Sequence, residues 1–182
     1  SRTTNFILMT QAGALLPRVY SKLHPRFPHP EHLFTLASQY FMTGRYEPAR
    51  ETAEKLLQQQ NSLNGRLLLS RIQFGLKNYE EALRLSLPIY QQTFDREAGN
   101  TAAASYAGQN NWTQAAALLE DLLKDAQELP VLNLAGECYL KLDQIQRAIP
   151  LLQKSLELNP DQPEIRELLK EAGRKKNPDM LK

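Results

Sequence analysis

The chain is 182 residues long, 42% hydrophobic and 23% charged, the composition of an ordinary globular domain. Its 22 basic and 20 acidic residues leave a net charge of +2, too little for a long-range field, so neither nucleic acid nor an anionic membrane surface is an expected partner. A single cysteine, Cys138, excludes an internal disulfide and the disulfide-rich secreted class; a cytoplasmic setting is expected, with a bacterial periplasm as the alternative.

Residues 1–29 read as a capping segment and a linker. The apolar run from Phe6 to Leu16 is broken by Thr10 and Gln11, and it is too short to insert into a bilayer. About residues 4 to 23 are expected to form one or two packing helices, divided or kinked at Pro17, over the open face of the helices next in the chain. A chain that begins at Ser1 is expected to be a piece of a longer protein. The linker, His24-Pro25-Arg26-Phe27-Pro28-His29-Pro30-Glu31-His32, holds all 3 histidines. Zinc needs a set of ligands that can close around it, but here prolines hold the backbone extended and no further ligand cluster exists, so no metal or cofactor is expected.

From residue 30 the chain repeats. Ala49, Ala82, Ala115 and Ala148 recur every 33 residues, each preceded three positions earlier by Tyr46, Tyr79, Trp112 or Ile145. A fixed period of this size marks an array of small units that bury their apolar faces by stacking. Each unit holds about a dozen residues with apolar side chains at helical spacing, then a turn, then a second such stretch, so the unit reads as a helix hairpin. The turns are Thr43-Gly44-Arg45, Lys77-Asn78, Asn110-Asn111 and Asp143-Gln144. Hairpins are expected near 30–62, 63–95, 96–128 and 129–162.

Small residues explain how the two helices approach. Ala37, Ser70, Ala103 and Gly136 lie midway along the first helices, opposite the alanine ladder on the second, and let the backbones cross closely. Tyr40, Tyr106 and Tyr139 recur one turn later, with Gln73 breaking that row. Pro88, inside a second helix, is expected to kink it by removing a donor and crowding the Arg84 carbonyl. Residues 163–182 read as a capping helix and a basic tail. Ile165, Leu168, Leu169 and Ala172 form its apolar stripe, and Glu164, Arg166, Glu167, Lys170 and Glu171 face water.

This pattern resembles the tetratricopeptide repeat (TPR): small first-helix residues, a turn glycine kept as Gly44, an aromatic before the second-helix alanine, and a terminal proline at Pro160. The likeness covers residues of about 30 to 176. The period is 33 where the family's is usually about 34, and the terminal proline is missing from the first three units. Ankyrin also repeats at about 33, but its Thr-Pro-Leu-His signature does not occur. The fold implied by the resemblance is all-α: a right-handed superhelical solenoid of about four TPR helix hairpins with N- and C-terminal capping helices.

In TPR arrays the first helices line a concave groove, and by this resemblance the groove residues are Phe34, Ser38, Phe41, Leu67, Arg71, Phe74, Asn100, Ala104, Asn133 and Glu137. Phe34, Phe41, Leu67 and Phe74 would make an apolar stripe that anchors hydrophobic side chains. Asn100 and Asn133, one period apart, would offer donor and acceptor to a peptide backbone. Each set has a competing structural role, since an asparagine can satisfy a nearby helix turn and Phe41 and Phe74 can pack on adjacent helices.

TPR domains that hold the acidic tails of heat-shock chaperones resemble one another in a carboxylate clamp of Lys, Arg and Asn. With Arg71 the one cation on the expected wall, no such clamp is expected. The string HLFTLASQYFMTGRYEPARETAEKLL is similar to the first repeat of bacterial type III secretion translocator chaperones, whose groove takes a hydrophobic partner segment. Their three repeats, against four here, argue against membership.

No Gly-rich loop, strand pattern or nucleophile with its base marks a catalytic centre, and carboxylates such as Glu47, Glu51 and Glu54 fall on exposed faces. The expected function is a non-catalytic protein–protein interaction scaffold that binds a partner peptide or helix in the groove, within an assembly or secretion complex. The alternative is a regulatory or targeting domain of a larger multidomain enzyme. Homo-oligomers through the array ends are a further possibility to test.

Overall fold

The computed structural model describes residues 29–176. The expected N-terminal capping helices, the linker up to Pro28 and residues 177–182 lie outside the described residues. The helices described are α1 (Pro30–Met42), α2 (Tyr46–Gln59), α3 (Leu63–Gly75), α4 (Tyr79–Thr93), α5 (Arg96–Gly108), α6 (Trp112–Asp125), α7 (Leu129–Lys141), α8 (Ile145–Leu158) and α9 (Pro163–Lys176). The chain forms two compact units, Ser1–Ser86 and Leu87–Lys182. Their boundary falls inside α4, which continues across Pro88 to Thr93.

Four turns cut the chain into hairpins. Gly44, Lys77, Asn110 and Asp143, one period apart, all adopt positive φ, at 72°, 63°, 60° and 58°. The next residue sends its N–H back five positions, from Arg45 to the Tyr40 carbonyl at 2.8 Å, Asn78 to Gln73 at 2.9 Å, Asn111 to Tyr106 at 2.9 Å and Gln144 to Tyr139 at 2.8 Å. This is the left-handed helix stop in which two backbone donors close the last turn. Glycine adopts the conformation freely and Asn or Asp tolerate it, but Lys77 does so against its Cβ. Gln73, which breaks the tyrosine row, is buried, and its Oε1 accepts a hydrogen bond from Asn78 Nδ2 at 2.9 Å within the same turn.

The stop also sets where the second helices begin, and α2, α6 and α8 start without a side-chain cap. Some first helices do carry one. Ser62 Oγ accepts from Gly65 N at 3.1 Å and Asp95 Oδ1 from Ala98 N at 2.8 Å, while proline opens α1 and α7.

The close crossings are realised where small residues meet. Ala37, Ser70, Ala103, Ala49, Ala82, Ala115 and Ala148 are all fully buried. At Gly136 the space that a methyl would need is filled by Leu152. In the first unit Ala37, Ala49, Ala53, Leu68, Leu69 and Ile72 form one cluster, with Tyr40, Phe41 and Leu57 packed on it. In the second unit α6 is held on two sides by phenol–carboxylate bonds, Tyr90 Oη donating to Asp121 Oδ2 at 2.6 Å and Tyr139 Oη to Glu120. Arg96 caps the end of α6 through the carbonyls of Leu122 at 3.0 Å and Ala126 at 3.2 Å. Helix α9 packs on α8, burying Ile165 and Ala172 and leaving Glu164, Arg166, Glu167, Lys170 and Glu171 exposed.

Candidate functional site

In the first unit, Phe34, Ser38 and Phe41 share one face of α1 by their spacing, and Leu67, Arg71 and Phe74 repeat that spacing on α3. The Arg71 guanidinium lies 4.7 Å over the Phe41 ring, so the two rows meet on one surface. Phe41 is half-buried and pairs with Tyr46 at 5.9 Å; Phe74 pairs with Tyr79 at 5.6 Å. These rings therefore brace the start of the second helix as well as lining the face. Leu67 is buried in the core, whereas Phe34 and Phe74 remain 37% and 36% exposed.

Met42, at the end of α1, is 83% exposed; eight residues on from Phe34, it projects about 80° round the helix from that ring, on a neighbouring stripe. Beside Phe34 a cleft of about 330 Å³ opens, with Pro30, Phe34 and Leu56 as its apolar lining and Glu31, Gln60, Ser62 and Asn64 among its polar residues. None of those polar residues was singled out by the period, because they come from helix ends.

In the second unit the two expected asparagines have different surroundings. Asn133 is held by its own chain: Nδ2 donates to Gln162 Oε1 at 2.8 Å and Oδ1 accepts from Ser155 Oγ. Gln162 Nε2 in turn donates to the carbonyls of Ser155 at 3.1 Å and Asn159 at 2.9 Å, tying off the α8–α9 connection. One period earlier the partner positions are Leu122 and Leu129, and Asn100 Oδ1 is buried with no hydrogen-bond partner. Ala104 and Glu137 are half-buried on α5 and α7.

One more step of the period from Asn133 and Glu137 reaches Arg166 and Lys170 on α9, which the sequence reading assigned to solvent. Both are exposed; Arg166 donates to the Pro160 carbonyl and Lys170 pairs with Glu167 at 2.6 Å. A second cleft, of about 500 Å³, lies between the α7–α8 turn and the end of α9, beside Arg147, Lys175 and Lys176. Arg147 is committed to Glu120 and to the Tyr139 ring at 4.2 Å. Burial, and then the Glu137 carboxylate, push the Cys138 thiol up to about 12, which leaves it a packing group without nucleophilic character. Among the described residues no group of His, Cys, Asp and Glu could hold a metal ion, and no helix is long and apolar enough to cross a membrane.

Two family descriptions match the chain. "Anaphase-promoting complex, cyclosome, subunit 3" matches residues 18–87, and "Tetratricopeptide repeat" matches residues 106–172. The second match falls on hairpins with the buried small residues and the left-handed turns. The chain is a TPR protein.

Solved structures agree on the fold. A thermophilic TPR protein of Thermus thermophilus is 22% identical, with a TM-score of 0.70 over 93% of this chain and 94% of its own. YrrB, whose structure is described as a TPR protein with an unusual peptide-binding site, is 17% identical with a TM-score of 0.70 over 93% of this chain and 88% of its own. MamA from Desulfovibrio magneticus, from its residue 41 onward, is 15% identical with a TM-score of 0.66 over 84% of this chain and 93% of its own. No curated protein matches the chain. The TPR assignment makes this a protein–protein interaction domain, since arrays of this kind work through the surfaces their stacked helices present.

Proposed function

We propose that the chain is a non-catalytic scaffold that holds a polypeptide segment of a partner protein on the face shared by α1 and α3, with Phe34, Phe41, Arg71 and Phe74 as its contact residues, Ser38 between them and the cleft beside Phe34 at one end. One observation carries the reading. Among the described residues of the first unit, the large hydrophobics left exposed are Phe34, Met42 and Phe74, all on first helices. Leaving Phe34 and Phe74 in water on the face that α1 and α3 share forgoes burial that the fold achieves elsewhere, and exposed apolar side chains gathered in this way mark interaction sites. In the second unit Asn100, Ala104 and Glu137 are half-buried and two of the three are polar, a composition suited to pairing with a backbone more than to seating a bulky side chain.

The test is to pan a displayed peptide library against the chain and to titrate the recovered binders against variants. Phe34→Ala and Phe74→Ala should each weaken binding by roughly tenfold or more, as for buried anchors at an interface, while Glu54→Ala on the outer helix should leave it unchanged. Binders that ignore both phenylalanines would refute the site.

A further inference from the structure

The cleft beside Phe34 is lined by the start of α1, the end of α2 and the start of α3, and its lining bears on what fits there. Pro30, Phe34 and Leu56 make it apolar in part, and among all its lining residues Glu31 is the one that carries a charge. The Glu31 carboxylate makes no ion pair with any described residue, whereas Glu47 on α2 is taken by Arg50 and Glu81 on α4 by Arg84.

The polar groups around Glu31 lean the same way. Thr35 Oγ1 donates its proton to the Glu31 carbonyl at 2.9 Å, which leaves the hydroxyl an acceptor toward a ligand. Gln60 and Asn64 are exposed, and each brings an amide oxygen to the lining. With the carboxylate these oxygens suit a group that only donates, which among charged side chains means the ammonium of Lys or the guanidinium of Arg. Such a side chain also meets the apolar part of the cleft, since its methylene stem lies along apolar surface while its head stays in water. A volume of about 330 Å³ is at the lower end of the range of small-ligand pockets, room for one long side chain. Glu31 also stands in the first turn of α1, where a negative charge favours the helix start. That role alone predicts a change of stability when the charge is removed and no change of binding preference.

We propose that this cleft takes a lysine or arginine side chain of the partner segment, with its stem against Pro30, Phe34 and Leu56 and its charged head paired with Glu31. The proposal rests on the reading of the α1–α3 face as the partner surface and adds a cation at one end of the bound segment.

The probes are synthetic peptides with one face of Leu and Phe at helical spacing and Gln at the polar positions, either uncharged or with a single Lys at one end or the other. Binding is read by fluorescence anisotropy against the full chain at about pH 8, above the ordinary range of histidine titration. The peptide whose Lys falls at the cleft should bind about threefold tighter than the uncharged one at low salt, the contribution of a partly exposed ion pair, with the gap narrowing as salt rises. Glu31→Gln should abolish the gap, and Glu31→Lys should transfer the preference to a peptide with Glu at that end. Glu54→Gln on the outer helix should leave the gap unchanged. Phe74→Ala, which does not touch the cleft, should weaken all the peptides without altering their ratios.

Equal binding with and without Lys, or a gap untouched by Glu31→Gln in a variant with parental circular dichroism, overturns the cation pairing and leaves the apolar face standing. A peptide with norleucine at that end that binds as tightly as the Lys peptide would assign the cleft to an apolar side chain and overturn the cation. Parental binding of every peptide by Phe74→Ala overturns the face itself. Light scattering that shows a dimer lost only in Phe34→Ala would assign the cleft to a second copy of the chain and overturn the proposed partner. No binding of either Lys peptide at millimolar concentration overturns the proposal outright.

Discussion

Replacing Gly136 by Ala places one methyl into a close helix crossing of the second unit. That methyl would lie 2.5 Å from Leu152 Cδ2 and 2.8 Å from its Cγ, against an optimal carbon separation of about 3.5–4.0 Å. Leu152 is fully buried and has no open space to enter, so it must leave its rotamer or push the helices apart. Overpacking of this kind costs about 1–3 kcal/mol. The same substitution gains about 0.8–1 kcal/mol of helix propensity, so the net change is a loss of about 1 kcal/mol, or roughly 2–4 °C in melting midpoint.

Gly173 supplies the control. It is also inside a helix, but a methyl there meets nothing within 4 Å, so Gly173→Ala should show the propensity gain alone. Thermal melts and urea titrations followed by circular dichroism should therefore move in opposite directions for the two variants. Leu152→Ala alone should cost about 2–5 kcal/mol, and the Gly136→Ala, Leu152→Ala double variant should cost less than the sum, because the added methyl occupies part of the cavity. If Gly136→Ala stabilises the chain as Gly173→Ala does, the crossing is not held by contact at this position.

Lys77→Gly should stabilise by about 0.5–1 kcal/mol, since it relieves a Cβ in the left-handed region and loses part of that gain to the greater freedom of glycine in the unfolded chain; an unchanged urea midpoint would contradict the strain. Asn133→Ala should cost about 1–3 kcal/mol through two lost hydrogen bonds, one of them to the buried Ser155, whereas Asn100→Ala should cost almost nothing because its Oδ1 has no partner to lose. Equal effects of the two in denaturant titrations would refute the difference in their surroundings. Burial, and then the Asp121 hydrogen bond, push Tyr90 from 10.0 up to about 12. The folded state thus holds that proton more tightly, so its contribution to stability is complete below about pH 10 and is lost as pH rises through about 12. Tyr90→Phe should flatten this alkaline fall in a series of melts, and an equally steep fall without Tyr90 would exclude it as the source.

Much of the helical arrangement was legible because the period carries it. The alanine ladder and the small first-helix residues can be read without coordinates, since a close helix crossing admits few side chains and the requirement returns in every repeat. The turns were legible for a similar reason, as Gly44, Asn110 and Asp143 are residue types that reach positive φ, and Lys77 is placed among them by the period alone.

What the repeat cannot carry is who stands opposite. Leu67 and Phe74 occupy one row, yet the first is buried and the second is not, because exposure depends on what the neighbouring helices leave uncovered. Asn100 and Asn133 are one residue type at one position of the repeat. Ser155 and Gln162 satisfy the second, and Leu122 and Leu129 stand in their places before the first. Sequence spacing determines which face of a helix a side chain occupies; only the packing of other helices against that face determines whether its hydrogen bonds and its apolar surface are already used.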